Sequence, residues 1–312
     1  MGRYRLGDIV RMTRKSLSIT QEQLSESICS VETLSRIENG SQNPTRDTYE
    51  LLMERMGRIR SRAYSMLSVS DLKTLEKMKL FEDYMKQYDF NKAEEILENI
   101  VNTIGSSILD RQFFIRADAL VNYYQKRIDT EVLLNGLEEA IKLTIPKYGA
   151  ITLSNWPLSF NEVALLINIS VAYAEREDLN NSITILEEAY SALKQSYMEE
   201  QQRAFFLVTI AGNLSKAYGI MLCHEKAIEI ASEGIDICKK FKLGYTLPYL
   251  LYNIAWNKEK LMDMGVIPPN CKKECLHYLK QAYYIASAMQ FTYIGQLIKE
   301  HISEKYYVSI FD

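Results

Sequence analysis

Glycine and proline are scarce, thirteen and six of 312 residues, so together they make about 6% against a usual share of roughly 12%. Turn-rich sandwiches, barrels and low-complexity chains are disfavoured by that scarcity, and a mostly helical chain is predicted. Cysteine is also sparse. Five residues, Cys29, Cys223, Cys238, Cys271 and Cys275, form no even, closely spaced framework, and a chain this long does not need disulfides, so reduced thiols in a cytoplasm are expected. Histidine occurs three times, at 224, 277 and 301. With no glycine-rich phosphate loop and no metalloprotease helix motif, the sequence offers no catalytic constellation, and neither enzyme activity nor a cofactor is expected. The run Cys271-Lys-Lys-Glu-Cys275-Leu-His277 suggests zinc by composition only: on a helix His277 points about 200° away from Cys275, so no metal is expected there. No run approaches the roughly 20 apolar residues that span a bilayer, and Met1-Gly-Arg-Tyr-Arg5 lacks the apolar core of a signal peptide. Neither a membrane nor export is expected.

What the chain does have is hydrophobic content, 47%, enough for a sizeable core at a length that suits two domains or one elongated array. The formal charge of −3 hides an asymmetry. Before residue 66 stand eleven basic and eight acidic side chains, a net of +3; the remainder carries 26 basic and 32 acidic, a net of −6. A basic head and an acidic body are therefore distinct parts.

In the head, Leu6 to Lys15 suits a helix. Thr20-Gln-Glu-Gln23 is a capping box that starts a second helix at Gln21. Leu24 and Ile28 fall on its inner face, Cys29 and Ser30 make a turn, and Val31 to Asn39 forms a third helix stopped by Gly40. Two short helices across a tight turn make a helix-turn-helix. Leu34 and Ile37 pack inward on the third helix, leaving Glu32, Thr33, Ser35, Arg36 and Asn39 open to solvent or to a groove. The stretch Leu24 to Gly40 followed by Asn43-Pro44 resembles the helix-turn-helix of phage-repressor-type regulators, over about residues 5 to 57. That resemblance implies that Gln21 holds a phosphate, that Val31, Glu32 and Arg36 face base edges, and that Arg14 and Glu38 form a partly buried ion pair. Ser30, Thr33, Asn39 and Asn43 suit phosphate or turn roles, whereas Arg36 can grip guanine with two donors. A plain surface pair between Glu32 and Arg36, four apart on a helix, is the competing reading. Thr45 can cap a fourth helix to about Met56, and Arg55, Arg58, Arg60 and Arg62 follow into a linker helix ending near Ser68. Those arginines suit either phosphate contact or a solvated face.

From Asp71 onward, helical patterns of about 15 to 20 residues alternate with short breaks, and the chain repeats itself. Asn168-Ile-Ser-Val-Ala-Tyr173 recurs as Asn213-Leu-Ser-Lys-Ala-Tyr218. A small residue follows the asparagine by fourteen positions at Ser182, Ala227 and Gly136, the last after Asn122. Asn253 has its small residue at Cys275, eight positions later than that, beyond a longer loop with Pro268-Pro269. An earlier unit carries Tyr84 and Ala93 in register, with Lys79 at the asparagine position. The small residue lets the second helix of each pair approach the first. This pattern resembles tetratricopeptide repeats, with asparagines 46, 45 and 40 residues apart in place of a unit of about 34. Five units are predicted, over roughly 71–104, 107–145, 158–197, 199–240 and 244–288, with a cap from Phe291 to Tyr307.

The expected fold class is all-α: a helix-turn-helix domain with its linker over residues 1–66, then a right-handed solenoid of tetratricopeptide type over 67–312. First helices of such pairs line a concave surface. Asn122, Asn168, Asn213 and Asn253 there could pair with the backbone of an extended peptide whatever its sequence. Neighbours Gln125, Val171, Thr209, Lys216, Tyr249, Tyr252 and Trp256 would add an aromatic wall and a cation for a peptide carboxylate. A structural role for the asparagines is the alternative.

A repressor-type head before such an array is similar to the peptide-sensing quorum regulators of Gram-positive bacteria, the group of the Rgg, PlcR, NprR and PrgX proteins. The resemblance implies a cytoplasmic, homodimeric transcription factor that binds paired half-sites of double-stranded DNA and takes a short signalling peptide in its array. Two other readings stand beside it: an array that only oligomerises or docks a protein partner, and a phosphatase-like activity on response regulators.

Overall fold

The computed structural model describes residues 5–57, 69–101, 108–154, 156, 158–196, 198 and 200–307. Among the described residues every regular element is a helix. The chain divides into two compact units, Met1–Arg176 with Ser191–Glu199, and Glu177–Tyr190 with Glu200–Asp312.

The first unit opens with α1 (Leu6–Ser16), α2 (Gln21–Ser25), α3 (Val31–Asn39) and α4 (Arg46–Arg55), whose ends are set by local chemistry. The Thr20 hydroxyl accepts from the Gln23 amide at 3.2 Å while the Gln23 side chain accepts from the Thr20 amide at 2.9 Å, so two orphan donors are met at once. Ser30 caps α3 at 3.1 Å and Thr45 caps α4 at 3.2 Å, and Gly40 closes α3 at φ +73°, where a side chain would be strained. Val10, Ile19, Leu24, Leu34, Tyr49 and Leu52 form the core. Gly7 permits the tightest approach: a Cβ there would stand 1.8 Å from the carbonyl oxygen of Ile37, so α1 crosses α3 at backbone contact. The expected linker helix, with Arg58, Arg60 and Arg62, lies outside the described residues.

The body of this unit continues with α5 (Val69–Lys86), α6 (Phe90–Ile100), α7 (Ile108–Tyr124), α8 (Thr130–Lys142) and α9 (Phe160–Glu175). Helix α10 (Leu179–Lys194) follows, its residues shared between the units. The second unit holds α11 (Glu200–Ile220), α12 (His224–Phe241), α13 (Leu247–Asp263), α14 (Lys272–Ala288) and α15 (Thr292–Tyr306). These are the helices the asparagine spacing predicts, and the long loop before α14 contains a 3-10 turn at Pro269–Cys271. The small residues sit where two helices meet: Ala93, Ala227 and Cys275 are fully buried and Ser182 nearly so, and a Cβ on Gly136 would lie 3.4 Å from that of Ala119. Four of the five turns inside the pairs put a non-glycine residue at positive φ, namely Tyr88, Lys126, Glu177 and Leu222, and the fifth uses Gly265. That is how a glycine-poor chain makes so many turns, at a modest cost per residue.

Five positions after each of Asn122, Asn168 and Asn213, the side chain ties its helix to the preceding pair. Arg127 donates to Glu94 of α6, the Tyr173 hydroxyl to Glu138 of α8 at 3.2 Å, and the Tyr218 hydroxyl to Glu187 of α10. Burial, aided by that carboxylate, pushes the Tyr218 phenol up to about 12.

Candidate DNA-reading and ligand-binding surfaces

Helix α3 is mounted by its inner face. Leu34 and Ile37 are buried in the head. Glu38 is gripped by Arg14, which donates to both its oxygens, and by the Gln21 amide at 2.9 Å. Arg14 also donates to the carbonyl of Ile19 at 2.8 Å, so α1, the turn before α2, and α3 are tied through one guanidinium. The implied Arg14–Glu38 pair is present. Gln21, implied as a phosphate holder, spends one amide proton on Glu38 and keeps the other.

On the outer face Glu32, Arg36 and Asn39 are exposed. Glu32 and Arg36 form no ion pair among the described residues; the Glu32 carboxyl is held below the usual range by the backbone amide at the start of its helix and by the Ser30 hydroxyl, with a smaller contribution from Arg36. Ser30 and Thr33 serve as cap and capped residue, their hydroxyls 3.0 Å apart. Asn39 reaches Ser35 at 3.5 Å. Asn43 is exposed, and Val31 is half-buried at the start of α3. Arg36 therefore presents, among the described residues, an uncommitted planar donor set near the start of the exposed face of α3.

The four asparagines of the repeat do four different things. In the first unit, the Asn122 amide donates to the carbonyl of Asp118 at 3.0 Å, and Asn168 accepts from Arg116 at 3.2 Å. Gln125 donates to Glu94 at 2.8 Å, and Val171 is half-buried. In the second unit, Asn253 donates across to the carbonyl of Gly212 at 3.0 Å, whereas Asn213 makes no side-chain hydrogen bond among the described residues. Thr209 bonds its own helix at 2.9 Å, Lys216 is exposed, and Tyr249 is half-buried. The Tyr252 hydroxyl lies 3.1 Å from His301 Nδ1. Trp256 stacks edge-on with His224 and lies 5.3 Å from the Lys260 ammonium. Asn213 and Lys216, on α11, thus both keep uncommitted polar groups among the described residues.

Two arginines carry more than the sequence reading gives them. Arg116 stands alone among Phe113, Phe114, Ile115 and Ala117, and that interruption is the signal that could have singled it out. It is buried against Glu82 and Asn168, and burial pushes its guanidinium down to about 10. Arg55, read as a phosphate contact or as part of a solvated face, is neither: its side chain is 4% exposed, because it donates to the carbonyl of Glu26 and lies under the ring of Trp156. Near the other cysteines, Cys275 faces the core while His277 bonds Gln281 on the exposed side of α14 at 2.8 Å.

Residues 10–60 match the helix-turn-helix family, so the class the head defines is that of helix-turn-helix proteins. Over the whole chain the fold is similar to that of PlcR from Bacillus thuringiensis in complex with the peptide PapR7 and DNA: TM-score 0.63 at 19% identity, covering 97% of this chain and 100% of that one. The apo form of the competence regulator ComR from Streptococcus vestibularis matches at TM-score 0.53 and 14% identity, over 96% and 97% of the two chains. ComR from S. thermophilus, in complex with DNA and its signalling peptide ComS, matches at 0.51 and 13%, over 95% and 98%. At these identities the likeness is one of fold. No curated protein matches the chain by sequence. Among the described residues no helix is long and apolar enough to cross a membrane.

Proposed function

We propose that this chain is a sequence-specific DNA-binding transcriptional regulator of the cytoplasm, without catalytic activity or cofactor, that acts as a homodimer on paired half-sites and is controlled by a short peptide bound in its helical array. The observation that carries the DNA reading is the mounting of α3, locked at Glu38 and free at Arg36. Gln21, Ser30, Val31, Glu32, Thr33, Ser35, Asn39 and Asn43 would complete the contact, with Arg36 reading a base and the short polar groups meeting phosphate. The peptide reading draws on the matched proteins, two of which are seen with a peptide and DNA, and on Asn213 with Lys216, whose free amide and ammonium suit a peptide backbone and a terminal carboxylate.

Selection of random duplexes by the purified chain, followed by anisotropy titration of the enriched sequence at fixed salt, tests the first part; a chain that enriches no sequence is not this regulator. For the second part, synthetic short peptides encoded beside the gene are scanned by thermal shift. A second reading, in which the array docks a protein or another copy of itself, is favoured by one observation: Asn122, Asn168 and Asn253 already have partners within the chain. Absence of any peptide-dependent shift together with a stable larger assembly would select that reading.

A further inference from the structure

The last turn of α4 and the first turn of α9, more than a hundred residues apart, meet through buried charge. Arg55 Nη1 donates to the carbonyl of Glu26, its guanidinium carbon lies 5.2 Å from the ring centre of Trp156, and Nη2 stands 3.9 Å from Glu162 Oε1. Glu162 is already at work: its Oε2 accepts from the Ser159 amide at 2.8 Å, closing the capping box of α9. Glu54, beside Arg55, accepts from the Asn161 amide at 3.3 Å. One carboxylate thus starts α9 and receives the end of α4.

The character of the seam matters as much as its contacts. Glu54, Arg55 and Glu162 are all buried, and Trp156 Nε1 is buried without a hydrogen-bond partner. An apolar seam is held by its area; one made of charges and an orphaned polar atom regains hydration when it parts, so it enforces one geometry without welding the two helices together. The planar guanidinium supplies that geometry, since it must satisfy a carbonyl, a ring face and a carboxylate at once. Six residues beyond Glu162, α9 carries Asn168, tied to Arg116.

We propose that Arg55 is a positioning residue that fixes the helix-turn-helix unit on the first turn of α9, so that a displacement of α9 moves the reading helix with it. The inference deepens the regulatory reading above and rests on it for its DNA consequence.

The test uses the full chain carrying Trp256→Phe, which leaves Trp156 as the single tryptophan, with Arg55→Met and, as the conservative variant, Arg55→Lys. Two readouts are taken: acrylamide quenching of Trp156, and affinity for the selected duplex with its half-sites at the native separation or moved apart by about 2 base pairs. Arg55→Met, at unchanged helix content, is expected to raise the quenching constant about twofold or more and to flatten spacing discrimination about tenfold, while sequence preference within one half-site persists. Arg55→Lys restores part of both. Unchanged quenching, or intact spacing discrimination, overturns the proposal. So does an equal loss on every duplex, single half-sites included, which would make Arg55 a stabiliser of the head only. Should Arg55→Met fail to fold, Glu162→Gln keeps the helix cap and removes the charge, and is read the same way. A parent chain that binds no duplex defeats the DNA reading, and the quenching arm still decides whether Arg55 holds the seam.

Discussion

Arg14 and Glu38 meet through two parallel hydrogen bonds, Nε to Oε1 at 2.6 Å and Nη2 to Oε2 at 2.7 Å. The Glu38 side chain is 2% exposed, so removing its partner leaves a carboxylate stranded in the head. Arg14→Met is expected to destabilise the head by about 3 kcal/mol, read as faster amide exchange across α1 to α3 with the repeat helices unaffected. Burial pushes the Glu38 carboxyl up, but the Arg14 guanidinium and the Gln21 amide outweigh it and hold the group below the usual range. A carboxyl whose folded pKa is depressed contributes stability that is fully present above its unfolded pKa and is lost as pH falls through the folded one. Protection factors in the head, taken relative to the intrinsic exchange rate at each pH, should therefore fall as pH drops below the ordinary carboxylate range, and Glu38→Gln should blunt that dependence.

Arg36 carries the specificity prediction. Because its guanidinium has no partner among the described residues, Arg36→Ala should leave the head's stability unchanged within about 0.5 kcal/mol. It should cost about 1 to 3 kcal/mol of DNA affinity at a single base position. Titrations against the selected duplex and its single-base variants check this. A uniform loss over all sequences with a shallower salt dependence would instead make Arg36 a phosphate contact.

The parts of this molecule legible in the sequence are those whose physics is local. Thr20 and Gln23, Ser30 and Gly40 fix the head's helix ends because each cap acts within five residues of itself. Asparagine-to-small spacing set the register of the repeats because Gly136 and Ala227 must fall where helices touch. Arg55 is not legible in the sequence for the converse reason. Its cation, seen along the chain beside Arg58, Arg60 and Arg62, looks like a basic stripe; what buries it, Trp156 and Glu162, lies about a hundred residues on. The asparagines were legible as positions but not as partners, since Arg116 and the carbonyl of Gly212 come from neighbouring pairs.

Asn213 and Asn253 occupy the same repeat position and should answer oppositely to alanine. Asn253 bridges α13 to α11, so Asn253→Ala leaves the carbonyl of Gly212 without that donor and should lower stability by about 1 to 2 kcal/mol, seen as a lower thermal midpoint. Asn213→Ala removes no side-chain bond among the described residues and should leave the midpoint unchanged while weakening peptide binding. If peptide affinity fell with Asn253→Ala only, the ligand role of the ladder would be an indirect effect of packing.

At the far end of the second unit, Glu259 holds the capping helix. It is 1% exposed and accepts from the Tyr306 hydroxyl at 2.5 Å, His301 Nε2 at 2.9 Å and the Lys305 ammonium at 3.2 Å. The same ring's Nδ1 lies 3.1 Å from the Tyr252 hydroxyl, so His301 bridges Glu259 and Tyr252. Tyr252, expected in a ligand wall, is thereby engaged in docking α15 onto α13. Burial alone would push the Glu259 carboxyl up; His301 and Tyr306 outweigh it and hold it below the usual range, so its contribution is present above the ordinary carboxylate range and lost in acid. Tyr306→Phe deletes one bond to a charged acceptor and should cost about 2 kcal/mol, read as roughly thirtyfold faster amide exchange in α15. Glu259→Ala strips all three donors of their shared acceptor and should release α15 more fully. If Tyr306→Phe left exchange in α15 unchanged, His301 and Lys305 alone would be holding the cap.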